Sequence, residues 1–287
     1  VNQILTKKFK PMVEKGTNGN VKVQIYPNNQ LGAEIEYCEG VMLGTIEMAM
    51  SGNMWEQYVS IFKVNQLPYM FVNYDHANAV LNGPIGAEIN KSLEAKGVKV
   101  LASFPNGFRV ISNNKRAINS IEDARGVKLR VFEGEVIIKE IKALGFSPVV
   151  MPISEVFTAI QQGVVDGQDN PLATSYYSGF YEIQKHVAIT NHMYSPGYIV
   201  INKKTWDRLS TAEQKLVQKA ADETAADILT AVRSQDDEII KDITSKGVKV
   251  THPNLKPFIE RVQPIIDEYI KEYPIIKRIQ ELGEKYL

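Results

Sequence analysis

One joint recurs along this chain and restricts what it can fold into. Asn20-Val-Lys-Val, Gly97-Val-Lys-Val, Gly126-Val-Lys-Leu and Gly247-Val-Lys-Val each close a helical or loop segment and open a strand. A glycine after a helix supplies the left-handed backbone that other residues resist. The Val-Lys-Val that follows alternates apolar and polar side chains, as a strand with unlike faces does. The copies are unevenly spaced, so they are joints between elements and not a tandem repeat. Helices alternating with strands in this way predict an α/β protein with a mainly parallel sheet.

The chain of 287 residues is long enough for two domains with substantial cores. Lys plus Arg balances Asp plus Glu at 33 each, which gives no footprint for nucleic acid or an anionic membrane. No apolar run approaches the roughly 18 residues needed to span a bilayer. The single cysteine, Cys38, excludes an internal disulfide and any zinc site built on several thiolates. It reads as a packing residue in the helix after Glu34. The sequence opens inside what reads as a helix, so no signal peptide is visible; one could have been removed or left out.

Taken in order, Ile4, Leu5, Phe9, Met12 and Val13 form a helical stripe, and Val21, Val23 and Ile25 alternate as a strand stopped by Pro27. A helix is expected over 33–43 and a short strand over 46–50. Met54, Trp55 and Tyr58 follow in a loop, then helices over 75–81 and 85–96. Strand 108–112 leads to a capping box at Ser120 and Asp123, then to helices over 135–144 and 154–162. Strands are expected over 187–190 and 197–201. A second capping box, Ser210 with Glu213, opens a helical pattern from Thr211 to about Lys246, on the order of 50 Å at 1.5 Å per residue. That is too long for one small domain and reads as a bridge between two. Helices over 255–269 and 275–286, separated by Pro274, close the chain.

Several chemistries have no sequence signature here. His76, His186, His192 and His252 show no metal-ligand spacing. There is no phosphate-binding glycine loop, dinucleotide fingerprint or Gly-x-Ser-x-Gly elbow. Ser112-Asn-Asn-Lys115 matches Ser-x-x-Lys without that motif's partners and is a chance match. An enzyme, no cofactor and no metal being implied, would need a base or nucleophile; Glu34, Glu133 and Asp169 are the candidates, without a partner pattern.

Two stretches stand out. Arg130 sits near the end of the strand in Gly126-Val-Lys-Leu-Arg-Val-Phe132, where α/β proteins border ligand crevices. Its guanidinium offers a rigid fork matched to a carboxylate; the alternative is a surface arginine paired with Glu133 or Glu135. Val164-Val-Asp-Gly-Gln-Asp-Asn-Pro171 reads as polar groups on a sharp turn, with Asn170 capping a helix begun by Pro171. The two stretches are expected to face each other and hold a small organic anion. Trp55 and Tyr58 are either lids over a ligand or ordinary domain packing.

The runs Tyr26-Pro-Asn-Asn-Gln-Leu-Gly-Ala-Glu34, Leu67-Pro-Tyr-Met-Phe71, Gly107-Phe-Arg109, Asp123-Ala-Arg-Gly-Val-Lys-Leu-Arg130, Glu155 through Pro171, Thr190-Asn-His192 and Trp206-Asp-Arg-Leu-Ser210 resemble the substrate-binding proteins of tripartite ATP-independent periplasmic (TRAP) transporters. The resemblance spans nearly the whole chain. It implies a two-domain periplasmic-binding-protein-like α/β fold with crossing connections and a long domain-bridging helix. The expected division is 1–107 plus 196–235 against 108–195 plus 236–287, with the helix at about 211–246 spanning both.

By the same resemblance Arg130 pairs with a ligand carboxylate, Asn170 hydrogen-bonds the ligand, Arg109 supports the anion directly or through water, and Glu34 contacts hydroxyls. Trp55, Phe132 and Tyr194 complete the expected ligand-binding set. The implied protein is a monomeric receptor, not itself membrane-spanning. It closes two domains on a small organic acid and delivers it to a sodium-coupled membrane permease from the periplasm, or from a lipid anchor in a single-membrane cell. The family's opening strand and loop are not in the sequence, and Ser51-Gly-Asn-Met-Trp-Glu56 departs from the run found in sialate binders. The retained groups suit a sugar acid, a hexuronate or aldonate, ahead of C4-dicarboxylates and 2-oxo acids. A sensory receptor and a small-acid enzyme using the same cleft are the rival classes.

Overall fold

The computed structural model describes residues 2–287. The chain divides into two compact units: Val1–Val59, Asn78–Pro105 and Pro196–Arg233 make the first, and Ser60–Ala77, Asn106–Ser195 and Ser234–Leu287 the second. The strands are β1 (Met48–Ser51), β2 (Val98–Asn113), β3 (Lys128–Val131), β4 (Ser147–Val150), β5 (Gly167–Pro171), β6 (His186–Ala188), β7 (Tyr194–Asn202) and β8 (Lys249–Thr251). Strands β2 and β7 and the helix Thr211–Ser245 each contribute residues to both units.

In the first unit β1 pairs antiparallel with the C-terminal half of β7, Met48 opposite Ile201 and Ser51 opposite Tyr198. Helix Glu34–Leu43 starts where Glu36 reaches back to the Ala33 N–H and stops at Gly44, whose φ of 84° is left-handed. Cys38 lies on its buried face, as expected. The long helix opens on the predicted box: Ser210 N–H donates to Glu213 Oε2 at 2.8 Å and Glu213 N–H to Ser210 Oγ at 3.3 Å. Val217, Ala220, Ala221, Ala225 and Ile228 are its buried stripe in this unit. The segment at 21–25 is extended but belongs to no strand among the described residues. Its alternation is real, yet a strand needs a ladder partner; instead Val21 N–H donates to Thr17 Oγ1 and Val23 N–H to Glu14 Oε1.

In the second unit the strand order is β8-β6-β2-β5-β3-β4. Strands β3, β4 and β5 are mutually parallel, as are β6 and β8, while β2 runs antiparallel to both β5 and β6. The sheet is therefore mixed rather than mainly parallel, because β2 lies antiparallel between β5 and β6. The joints at Gly97, Gly126 and Gly247 carry φ between 74° and 90°, the left-handed backbone the sequence implied.

Two expectations are corrected here. Ser60–Ala77 belongs with the second unit, not the first. The cause is packing: Phe71 and Tyr74 meet Tyr194 and Phe108 at ring separations of 5.1–6.3 Å, and His76 stacks on Tyr286. The second concerns 164–171, which is not a turn: Gly167–Pro171 is β5, buried at every position. Pro171, not Asn170, stands at the cap position of the helix Leu172–Tyr177, with no side-chain cap.

Candidate functional site

Strand β5 brings the polar stretch into the middle of the second unit's sheet. Arg109 on β2 lies across from Pro171, and Val110 across from Asn170; on the other side Arg130 of β3 lies beside Gln168. This close pairing depends on Gly167, where a Cβ would stand 2.0 Å from the Ser112 carbonyl oxygen. No side chain fits there.

Arg109 is held on several sides. Its Nε donates to Asp169 Oδ2 at 2.5 Å, Nη2 to the Asp169 carbonyl at 2.7 Å and to Asn170 Oδ1 at 3.3 Å, and Nη1 to Ser195 Oγ at 3.5 Å. Its guanidinium carbon sits 4.9 Å over the Phe132 ring, a cation–π contact. Its own backbone N–H donates to the Met193 carbonyl. The charge is thus fixed in place by a carboxylate, an amide and an aromatic face.

Behind it a chain of amides and hydroxyls fixes Asn170. Asn170 Nδ2 donates to Gln168 Oε1, Gln168 Nε2 donates to Ser112 Oγ at 2.7 Å and Ser175 Oγ at 2.9 Å, and Ser112 Oγ donates to Gln184 Oε1. Each member is buried. Such a network determines which end of each amide points where.

Asp169 is fully buried. Burial pushes its carboxyl up, but the Arg109 guanidinium and His192 more than reverse this and hold it below the ordinary carboxylate range. His192 Nε2 lies 3.5 Å from Asp169 Oδ2, and Nδ1 lies 2.8 Å from Thr190 Oγ1. Burial holds the imidazole below its ordinary value despite the facing carboxylate, so the ring is neutral. Thr190, His192 and Asp169 resemble a hydroxyl–imidazole–carboxylate relay, but all three are 0% exposed, so no substrate reaches the hydroxyl.

Arg130 is buried at 3% and donates from Nε to the Met151 carbonyl at 2.9 Å. It is not a surface arginine. Glu135 is instead taken up by Lys63, Lys139 and the Tyr269 hydroxyl, which hold its carboxyl at about 2. Tyr194 is buried in the aromatic cluster with Phe71 and Phe108. In the first unit Glu34 Oε1 accepts from the Gly52 N–H, and the fully buried Trp55 donates from its indole to Ser51 Oγ at 2.7 Å. The structure thus joins Arg109, Asn170 and Phe132 directly, sets Arg130 on the far side of β5, and links Glu34 to Trp55 through Ser51-Gly52. Among the described residues no group of three or more His, Cys, Asp or Glu is placed to hold a metal ion.

Sequence reasoning passed over Gln168 and His192 and gave Asp169 no structural role. The signal for Gln168 was available: it stands two residues before Asn170, on the same face of any strand.

The family model of the bacterial extracellular solute-binding proteins, family 7 (DctP), matches residues 2–272. A solute-binding protein of Verminephrobacter eiseniae is 39% identical over 267 residues, covering 92% of this chain and 80% of its own. A TRAP periplasmic solute-binding protein from Haemophilus influenzae, solved with bound L-gulonate, is similar at a TM-score of 0.93 and 34% identity, covering 97% of this chain and 94% of that one. A counterpart from Polaromonas, bound to D-erythronate, gives 0.93 and 34% with coverage of 97% and 93%.

Proposed function

The chain belongs to the bacterial extracellular solute-binding proteins of family 7, and we propose that it binds a sugar acid, an aldonate or hexuronate. The observation that carries this reading is a pair of buried arginines flanking one strand, Arg109 on β2 and Arg130 on β3, with Asn170 locked between them on β5. Guanidinium is the side chain suited to a carboxylate, and an oriented amide offers both a donor and an acceptor to hydroxyls. Arg109 is committed largely to Asp169 and Asn170 and lends fixed positive charge. Arg130 is the group assigned to the ligand carboxylate.

The similar proteins hold L-gulonate and D-erythronate, both polyhydroxy monocarboxylates, which favours this cargo over a dicarboxylate. The receptor acts outside the cytoplasmic membrane and hands its acid to a membrane permease, and it does no chemistry on it. None of its described helices is long and apolar enough to cross a membrane.

The test is a thermal-shift screen against L-gulonate, D-erythronate, D-glucuronate, D-galacturonate, succinate and pyruvate, with neutral sugars as controls. An acid at about a thousand times its dissociation constant adds about 4 kcal/mol of stability. Stabilisation by a sugar acid and not by its neutral sugar is the expected result. Stabilisation by succinate or pyruvate alone would overturn the assignment.

A further inference from the structure

Helix Glu135–Ala143 packs on β3, β4 and the segment Ser60–Gln66. Glu140 lies on its inner face: it follows Val136 by four residues and precedes Leu144 by four, within the apolar stripe. It is 0% exposed, and neither carboxyl oxygen has a hydrogen-bond partner among the described residues. Asp169 Oδ1 and the Tyr69 hydroxyl are among the other buried polar atoms without a partner among the described residues. A carboxylate buried without partners is among the costliest groups a protein can hold, and it avoids the cost by keeping its proton.

The groups around this helix fall into two sets. Lys63, Lys139 and Tyr269 gather on Glu135 at its solvent end, and Lys139 also pairs with Glu268. Glu140 instead interacts with Asp169 of β5, Arg109 of β2 and the Tyr69 phenol. On β3, Arg130 is bonded to the Met151 carbonyl, and His192 is neutral against Asp169. Glu140 is therefore buried within the electrostatic reach of the ion pair that fixes Arg109.

We propose that Glu140 is a positioning residue for acid binding: uncharged, it leaves the Arg109 charge shared with Asp169 alone, and its ionisation would add a second anion to that guanidinium and weaken the site. The affinity half of this inference rests on the sugar-acid reading; the buried proton does not. Burial, then the Asp169 charge, push the Glu140 carboxyl well above its ordinary 4.5, with Arg109 opposing. A group raised in the folded state stabilises the fold fully below its unfolded value and loses that contribution as pH rises towards its folded value.

The experiment compares the parent with Glu140→Gln, which keeps the shape and cannot ionise. Without ligand, the two melting temperatures should be similar near pH 4.5 and diverge as pH rises, with Gln the higher. For L-gulonate, parent affinity should fall relative to Glu140→Gln by about tenfold at the upper end of that pH range, where the native carboxyl ionises and the melting temperatures stop diverging. Parallel melting profiles would overturn the inference, and so would an L-gulonate affinity that follows the same pH course in both proteins. If neither protein bound any acid of the panel, the sugar-acid reading would fail, while the melting profiles would still decide the proton.

Discussion

Arg109 and Asp169 form an ion pair sealed from solvent, 2.5 Å from Nε to Oδ2 with side chains 4% and 0% exposed. A buried pair gains little over apolar packing, but removing one partner strands the other, at a cost of about 3–5 kcal/mol. The pair therefore fixes geometry more than it adds stability.

Asp169→Asn should destabilise the protein by about 3–5 kcal/mol and weaken acid binding, both measurable by denaturant titration and calorimetry. The carboxyl is held below its unfolded value of 3.8, so its contribution is present above that pH and is lost as the pH falls below it. The parent should lose stability in strong acid that the Asn variant no longer has to lose.

Arg130→Ala should weaken the bound acid by about 2–5 kcal/mol, roughly 30-fold to several thousand-fold, as for the loss of one partner in a buried charge pair. Arg130→Lys should recover little, since an ammonium cannot reproduce the fork. Titration calorimetry with the acid found in the screen decides it. An alanine variant within about threefold of the parent would take the ligand carboxylate away from Arg130.

Gly167→Ala should be costly although it adds one methyl group. Its Cβ would lie 2.0 Å from the Ser112 carbonyl oxygen and 2.7 Å from Asn113 Cα, so β2 and β5 must separate. Overpacking of this kind costs typically about 1–3 kcal/mol and more when backbone must move. Ligand affinity should fall with stability if Arg109 and Asn170, the proposed ligand-binding groups on those two strands, hold the acid.

His76 predicts a separate acid sensitivity. The buried ring accepts the Val72 N–H on Nδ1 at 3.2 Å and meets the Ile279 carbonyl with Nε2 at 3.0 Å, so protonation would displace one bond. Burial lowers its value below 6.5, with the Ile279 carbonyl opposing, so its stability contribution is present above that pH and declines as pH falls. Melting temperature should drop from about pH 6.5 to 5 in the parent, with a shallower slope in His76→Gln.

Local signals carried much of the fold. Gly97 and Gly247, the box at Ser210 and Glu213, and the stripe from Val217 to Ile228 are choices a short segment makes by itself, and the structure follows them. Strand β5 was hidden because Gly167-Gln-Asp-Asn-Pro171 has no apolar alternation. Asn170 bonds Gln168 within the strand, while Asp169 and Gln168 find Arg109 and Ser112 about sixty positions away in sequence. The placement of Ser60–Ala77 was hidden for a similar reason, since it depends on rings contributed by β2, β7 and the C-terminal turn. Arg130 could be named from its place near a strand end, but its burial could not. Glu140 was legible as a charge in an apolar stripe and was overlooked there.

The ladder from Arg109–Pro171 to Asn113–Gly167 has an evolutionary consequence. Gaining or losing one residue in either strand would turn every later side chain to the opposite face, taking Arg109 or Asn170 out of the proposed site at a stroke. A lineage that keeps this receptor can vary the lengths of its surface loops. Along these ten positions it can explore new cargoes by point substitution, not by insertion or deletion.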